Sequence, residues 1–175
     1  PYNSWGNGSA MRGSPAGWLY DSLERTREVA RATANVSHNH PEGLKGAEAT
    51  ASAIFMARNG FSKAEIKKYI ESEFGYNLSR TIDEIRPGFM MYEDCQRTVP
   101  ESIIGFLEGI DYEDTVRNVV SLGGDTDTTG AIAGSIAEAY FGIAEEFIEE
   151  GKKRLEPDML EVINRFYKEI AKQYK

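Results

Sequence analysis

Two stretches crowded with Ala, Gly and Ser limit most strongly what this chain can fold into. The first opens at Asn39-His40-Pro41-Glu42, runs through Ala47, Ala49, Ala51, Ala53, Ile54 and Phe55, and meets a C-terminal stop at Gly60. The second runs from about Asp127 to Phe141. Small side chains let helix axes approach closely, so both helices are expected at the centre of the structure.

The surrounding sequence reads as further helices with short punctuation. Ser14-Pro15 suits a helix start, and a helix is expected from Gly17 to about Ala34, with Trp18, Leu19, Leu23 and Ala30 on one broad face. Ser62-Lys63-Ala64-Glu65 is a capping box ahead of Ile66, Tyr69, Ile70 and Phe74 at helical spacing. A short helix is expected around Thr81 to Ile85, before the breaker Pro87-Gly88. Met90, Met91 and Tyr92 then either pack a loop down or form a short extended piece. Pro100 reads as the start of a helix to Gly109. Asp111 to Leu122 reads as the next, with Val116, Val119 and Val120 inward. Pro157 opens the last helix, striped with Leu160, Ile163, Phe166, Tyr167 and Ile170. No stretch alternates like a strand between hairpin turns. The expectation is an all-α chain forming a single domain over residues 1–175.

The net charge of −8 is spread along the chain, which argues against general nucleic-acid binding, since that needs a basic face. It leaves open a nucleotide in a shielded pocket. No apolar run reaches the roughly 20 residues of a membrane span. Cys95 is the only cysteine, so no intramolecular disulfide can form, and a reducing, cytoplasmic location is expected. Cys95 has no nucleophile signature and is expected as a buried or semi-buried thiol. Glu145-Glu146 and Glu149-Glu150-Gly151-Lys152-Lys153 read as solvated helix faces.

Three segments could carry chemistry. In Gly123-Gly124-Asp125-Thr126-Asp127-Thr128-Thr129-Gly130, two glycines end a helix and two aspartates follow among threonines. Asp125 and Asp127 can point at one spot if the first lies just before a helix and the second in its first turn. A helix N-terminus repels a cation, and two carboxylates offset that repulsion. Their oxygens favour hard ions such as Mg²⁺, Mn²⁺ or Ca²⁺; the alternative is that Asp and Thr simply cap the helix. An EF-hand is rejected, because its twelfth position falls on Ile136 where a bidentate Glu is required. The second segment, Trp5-Gly6-Asn7-Gly8-Ser9-Ala10-Met11-Arg12, can form a tight loop with exposed N–H groups, either a phosphate cradle or only a turn. Arg12 can pair with a phosphate or with a structural carboxylate. The third is Ser37-His38-Asn39-His40-Pro41-Glu42, where His38 either contacts a ligand or is a surface or capping histidine; four zinc ligands are not available.

Taken together, the Gly6–Arg12 stretch, Ser37-His38 before a small-residue helix, and Gly123-Gly124-Asp125-Thr126-Asp127-Thr128 resemble the ADP-ribosylglycohydrolase family, which includes dinitrogenase-reductase-activating glycohydrolases. The resemblance implies an all-α orthogonal multi-helix bundle with metals in a central cleft. It implies that Asp125, Asp127 and Thr128 are ligands of a two-metal Mg²⁺ or Mn²⁺ centre. It implies that Asn7, Gly8 and Ser9 line the ADP-ribose site with Met11 and Arg12 supporting the loop, and that His38 contacts the nucleotide. The implied activity is hydrolysis of the bond between ADP-ribose and a protein side chain or small-molecule carrier. Family members carry an N-terminal Gly-Asp helix and a Thr-Asp-Asp motif, which this sequence lacks. The expectation is therefore the C-terminal two-thirds of the fold, without its N-terminal helices and with the acid and base carboxylates outside this chain. The alternative is a non-catalytic ADP-ribose-binding or structural module. Apolar surface left open is expected to be covered by self-association or by an N-terminal partner segment.

Overall fold

The computed structural model describes residues 1–173, which form helices joined by short connections. The chain divides into two compact units, Pro1–Phe141 and Gly142–Lys175. The first contains α1 (Gly8–Met11), α2 (Ser14–Leu19), α3 (Leu23–Asn35), α4 (Pro41–Arg58), α5 (Lys63–Phe74), α6 (Ile82–Ile85), α7 (Cys95–Glu108), α8 (Tyr112–Val120) and α9 (Thr126–Phe141). A single 3₁₀ turn, Arg86–Gly88, follows α6. The second contains α10 (Glu145–Lys152) and α11 (Pro157–Gln173). Among the described residues the only β feature is an isolated antiparallel bridge between Gly6 and Asp94.

The two small-residue helices are central, as their composition demands. α4 is buried along nearly its whole length and touches α1, α2, α3, α5, α7 and α9. α9 lies against α4, α7, α8 and α1. Two glycines let neighbouring helices approach closely. A Cβ on Gly17 would sit 2.6 Å from Ile54 on α4, and one on Gly105 of α7 would sit 2.2 Å from Cγ1 of Val119 on α8. Partly buried ion pairs reinforce the α3–α4 seam. Glu48 of α4 receives Arg27 Nε at 3.3 Å and Arg31 Nη1 at 2.8 Å from α3.

Four local expectations need correction. The helix expected across Gly17 to Ala34 is two helices, because Tyr20 is extended and the Ser22 hydroxyl accepts from Arg25 N, starting α3 afresh. Arg58 satisfies the carbonyls at the end of α2, donating to Gly17 O at 2.8 Å and also to Tyr20 O. Pro100 does not begin its helix. Asp94 caps α7, and Pro100 lies one and a half turns inside it. Val120 is exposed while Thr115 and Val119 are buried, since the inner face of α8 repeats every three to four residues and cannot take two consecutive valines. Met90 and Met91 neither pack down nor form a strand; they are 64% and 65% exposed.

Elsewhere the punctuation is as expected. Both bonds of the Ser62–Glu65 capping box are present, and Gly75 ends α5 in the left-handed conformation. In the second unit, Leu160, Ile163 and Phe166 are half-buried and Ile170 is buried, while Tyr167 of the expected stripe is exposed. The α10 charges are solvated, with Lys152–Glu149 and Lys153–Glu150 pairs at 2.8 and 3.0 Å. Among the described residues, no helix is long and apolar enough to cross a membrane.

Candidate metal and nucleotide site

The turn before α9 depends on two left-handed glycines, Gly123 (φ 73°) and Gly124 (φ 67°). Gly124 also lies against the backbone, where a Cβ would sit 2.5 Å from the Met90 carbonyl oxygen. The turn delivers Asp125 to the start of α9, and its carbonyl accepts from Thr129 N at 3.0 Å. Asp127 follows in the first helical turn. The two carboxylates come within hydrogen-bonding reach of each other. Asp127 is held below the ordinary carboxylate range, first by that bond with Asp125 and then by the Thr128 backbone N–H, which donates at 2.9 Å. Asp127 is exposed, Asp125 half-buried and Thr128 buried. The Thr128 hydroxyl donates to Met11 Sδ at 3.4 Å, leaving its oxygen lone pairs free for another partner.

The Gly6–Gly8 loop reaches the same place from the other end of the chain. It is fixed by Asn7 N donating to Glu93 O at 2.8 Å and by Cys95 N donating to Trp5 O at 3.0 Å. The buried Asn7 side chain points inward, with Nδ2 2.7 Å from Asp125 Oδ2 and 3.1 Å from Thr98 Oγ1. Ser9 is also buried, its hydroxyl donating to Gly43 O at 2.7 Å and tying α1 to α4. Asn7 and Ser9 thus hold the loop with their side chains, and Gly8 is its more accessible member.

His38 lies beside this loop. A Cβ on Gly8 would sit 3.3 Å from His38 Nε2, and one on Gly6 would sit 3.5 Å from it. His38 Nδ1 is 2.8 Å from Ser37 Oγ, which accepts from Arg12 Nη2 at 2.7 Å. Burial, and then the Arg12 charge, hold the His38 ring below the ordinary histidine range. Arg12 also donates to Thr33 O at 3.3 Å, so its partners here are a hydroxyl and a carbonyl rather than a carboxylate. His40 has a different role, accepting from Glu42 N at 3.2 Å as the N-cap of α4. Cys95 is fully buried beneath the loop, and burial pushes its thiol up to about 11.

Sequence reasoning did not reach three features. Thr98 shares the Asn7 amide. Tyr92 places its carbonyl 3.2 Å from the Thr98 hydroxyl, which donates to it. A cleft of about 420 Å³ is lined by Tyr2, Trp5, Gly6, Glu93, Asp94 and Arg97 among others. Asp94, the cap of α7, is recognisable only once that helix start is known.

Asp125, Asp127 and Thr128 form an oxygen-only donor set that suits a hard divalent ion. Two adjacent carboxylates stay together only by sharing a proton or a cation, and among the described residues neither has a Lys, Arg or His partner. Among the described residues no third His, Cys, Asp or Glu joins them. The donors therefore fit such an ion in type, as part of a coordination shell.

The ADP-ribosylglycohydrolase family model matches residues 1–175, and the chain belongs to that family. It is 27% identical over 187 residues to ADP-ribosylhydrolase ARH3 of Bos taurus, covering 80% of this chain and 51% of that protein. It is 25% identical to the Homo sapiens ADP-ribosylhydrolase ARH3, with 80% and 51% covered. An uncharacterized protein of Archaeoglobus fulgidus is 31% identical, with 84% and 53% covered. The chain thus spans about half the length of the curated relatives it matches. A solved structure of an ADP-ribosylglycohydrolase-related protein complex superposes with a TM-score of 0.66 at 28% identity, covering 81% of this chain and 52% of that one.

Proposed function

We infer that the protein hydrolyses the glycosidic bond between ADP-ribose and a protein side chain or small-molecule carrier. In this reading Asp125, Asp127 and Thr128 contribute ligands to a two-ion Mg²⁺ or Mn²⁺ centre, and Asn7, Gly8, Ser9 and His38 line the ADP-ribose site. The observation that carries it is the 2.7 Å bond between Asn7 and Asp125, which joins the glycine loop to the aspartate pair. Family membership supports the reaction class.

Divalent ions held there would supply positive charge for orienting ribose hydroxyls and for making an attacking water more acidic. Asp125 and Asp127 supply the negative potential that a helix N-terminus lacks. Asn7 fixes the Asp125 carboxylate, and a fixed ligand loses less freedom on binding. Gly8 leaves room for a ligand to approach the loop backbone beside His38. Bond cleavage at the anomeric carbon passes through an oxocarbenium-like transition state, as in other glycoside cleavages.

The test is release of free ADP-ribose from an ADP-ribosylated peptide by the longest encoded form of the protein, with Mg²⁺ or Mn²⁺ present. Asp127→Ala should abolish release while the helical circular dichroism persists. Turnover with unchanged metal dependence in that variant contradicts the assignment. ADP-ribose binding without turnover in the parent protein supports the alternative, a non-catalytic ADP-ribose-binding module.

A further inference from the structure

His38 can present its ring in either of two neutral forms, and the surroundings discriminate between them. Nδ1 faces Ser37 Oγ at 2.8 Å, and Nε2 faces the loop at Gly6 and Gly8. Ser37 Oγ has one hydrogen to give and already accepts from Arg12 Nη2 at 2.7 Å. A second N–H pointed at this oxygen from Nδ1 would leave the hydroxyl hydrogen without its nearest acceptor and bring a positive hydrogen toward the guanidinium. The opposite arrangement satisfies Arg12, the Ser37 hydroxyl and Nδ1, and leaves the Nε2 hydrogen free for a ligand. Arg12 donates to Ser37, Ser37 donates to Nδ1, and the ring hydrogen resides on Nε2. Arg12, although exposed, also donates to Thr33 O at 3.3 Å, which keeps its guanidinium beside Ser37, and His38 is buried.

We propose that Arg12 and Ser37 are positioning residues that lock His38 in the Nε2–H form, so that it offers one fixed N–H donor to an oxygen acceptor of the ligand lying along the Gly6–Gly8 loop. The ligand group that His38 selects is therefore an acceptor, such as a phosphate or ribose oxygen, and not a donor such as an amino group. A donor already oriented before the ligand arrives costs less to use than one that must choose its form. The ligand half of this proposal rests on the ADP-ribose reading above; the lock itself does not.

The experiment is a long-range proton–nitrogen correlation spectrum of ¹⁵N-labelled protein at about pH 8, above the ordinary histidine pKa of about 6.5. His40→Asn, which keeps a capping side chain, identifies the His38 signals. The expected result is a single form for His38, with Nε2 protonated and Nδ1 bare. Ser37→Ala and Arg12→Met should each admit the Nδ1–H form, and Ser37→Thr, which keeps the hydroxyl, should restore the single form. ADP-ribose should then shift the His38 Nε2–H signal, and Ser37→Ala should weaken its binding about fivefold, the worth of one ordinary hydrogen bond. A wild-type ring found as Nδ1–H or as a mixture overturns the lock, as does an unaltered pattern in Ser37→Ala. A locked ring whose signals ignore ADP-ribose upholds the lock and overturns the reading of this loop as the ADP-ribose site.

Discussion

The side-chain amide of Asn7 reaches Asp125 across 2.7 Å, bridging residues 118 positions apart in sequence. The bond lies at the junction of the glycine loop and the start of α9. Asn7→Ala removes the donor that orients the Asp125 carboxylate and leaves Thr98 without this partner. Groups that orient metal ligands typically contribute 10–100-fold in metal affinity, so Mn²⁺ affinity should fall by about that factor. Calorimetric Mn²⁺ titration of wild type and variant, with circular dichroism as the fold control, measures this. Equal affinities would mean that Asn7 serves only the loop.

Gly123 and Gly124 share a left-handed backbone but differ in surroundings. Nothing lies near a Cβ on Gly123, whereas one on Gly124 meets the Met90 carbonyl at 2.5 Å. Gly123→Ala should cost about 1–2 kcal/mol, the penalty of a left-handed Cβ alone. Gly124→Ala should cost clearly more, because backbone rather than a flexible side chain must move. Urea unfolding of both variants gives the order; similar midpoints would contradict it.

Gly105 allows α7 to approach α8. A methyl there would sit 2.2 Å from Val119 Cγ1, so Gly105→Ala should destabilise by about 1–3 kcal/mol, the usual range for overpacking. Val119→Ala opens that space at its own cost. In the double variant the two losses should not add, and a coupling of about 0.5–3 kcal/mol should appear in a double-mutant cycle. Additive losses would show that the helices separate instead of clashing.

Burial pushes the Cys95 thiol up to about 11, against an ordinary value of about 8.5. The folded state therefore keeps a proton that the unfolded chain has released. This contribution is fully present below about pH 8.5 and declines as pH rises toward 11, at up to about 1.4 kcal/mol per pH unit. Urea midpoints between pH 7.5 and 10.5 should fall more steeply for wild type than for Cys95→Ala. Parallel slopes would exclude the thiol as a source of the alkaline loss.

What is legible in the sequence divides along chain distance. Ser62 and Glu65 announce their capping box because both bonds are local, and the two small-residue helices announce their central place by composition. The separation of α2 from α3 is legible only in part: the Ser22 cap is local, but Arg58 holds the Tyr20 carbonyl from 38 positions away. Pro100 misleads because the tertiary burial of α7, together with the local Asp94 cap, outweighs a cost of about 3 kcal/mol for an internal proline. At the site, the Asp125–Asp127 pair stands out because both carboxylates occupy one turn of chain. The inward turn of Asn7 and the Arg12–Ser37–His38 relay do not, since each is assembled across a tertiary contact.

The most direct measurement is calorimetric titration of ADP-ribose into this protein with and without Mg²⁺, beside Asp127→Ala. The account requires saturable binding in the presence of Mg²⁺ that weakens without the ion and is lost in the variant. Absent binding to the wild-type protein, or binding of equal strength with and without Mg²⁺ and in Asp127→Ala, contradicts a nucleotide site built on the aspartate pair.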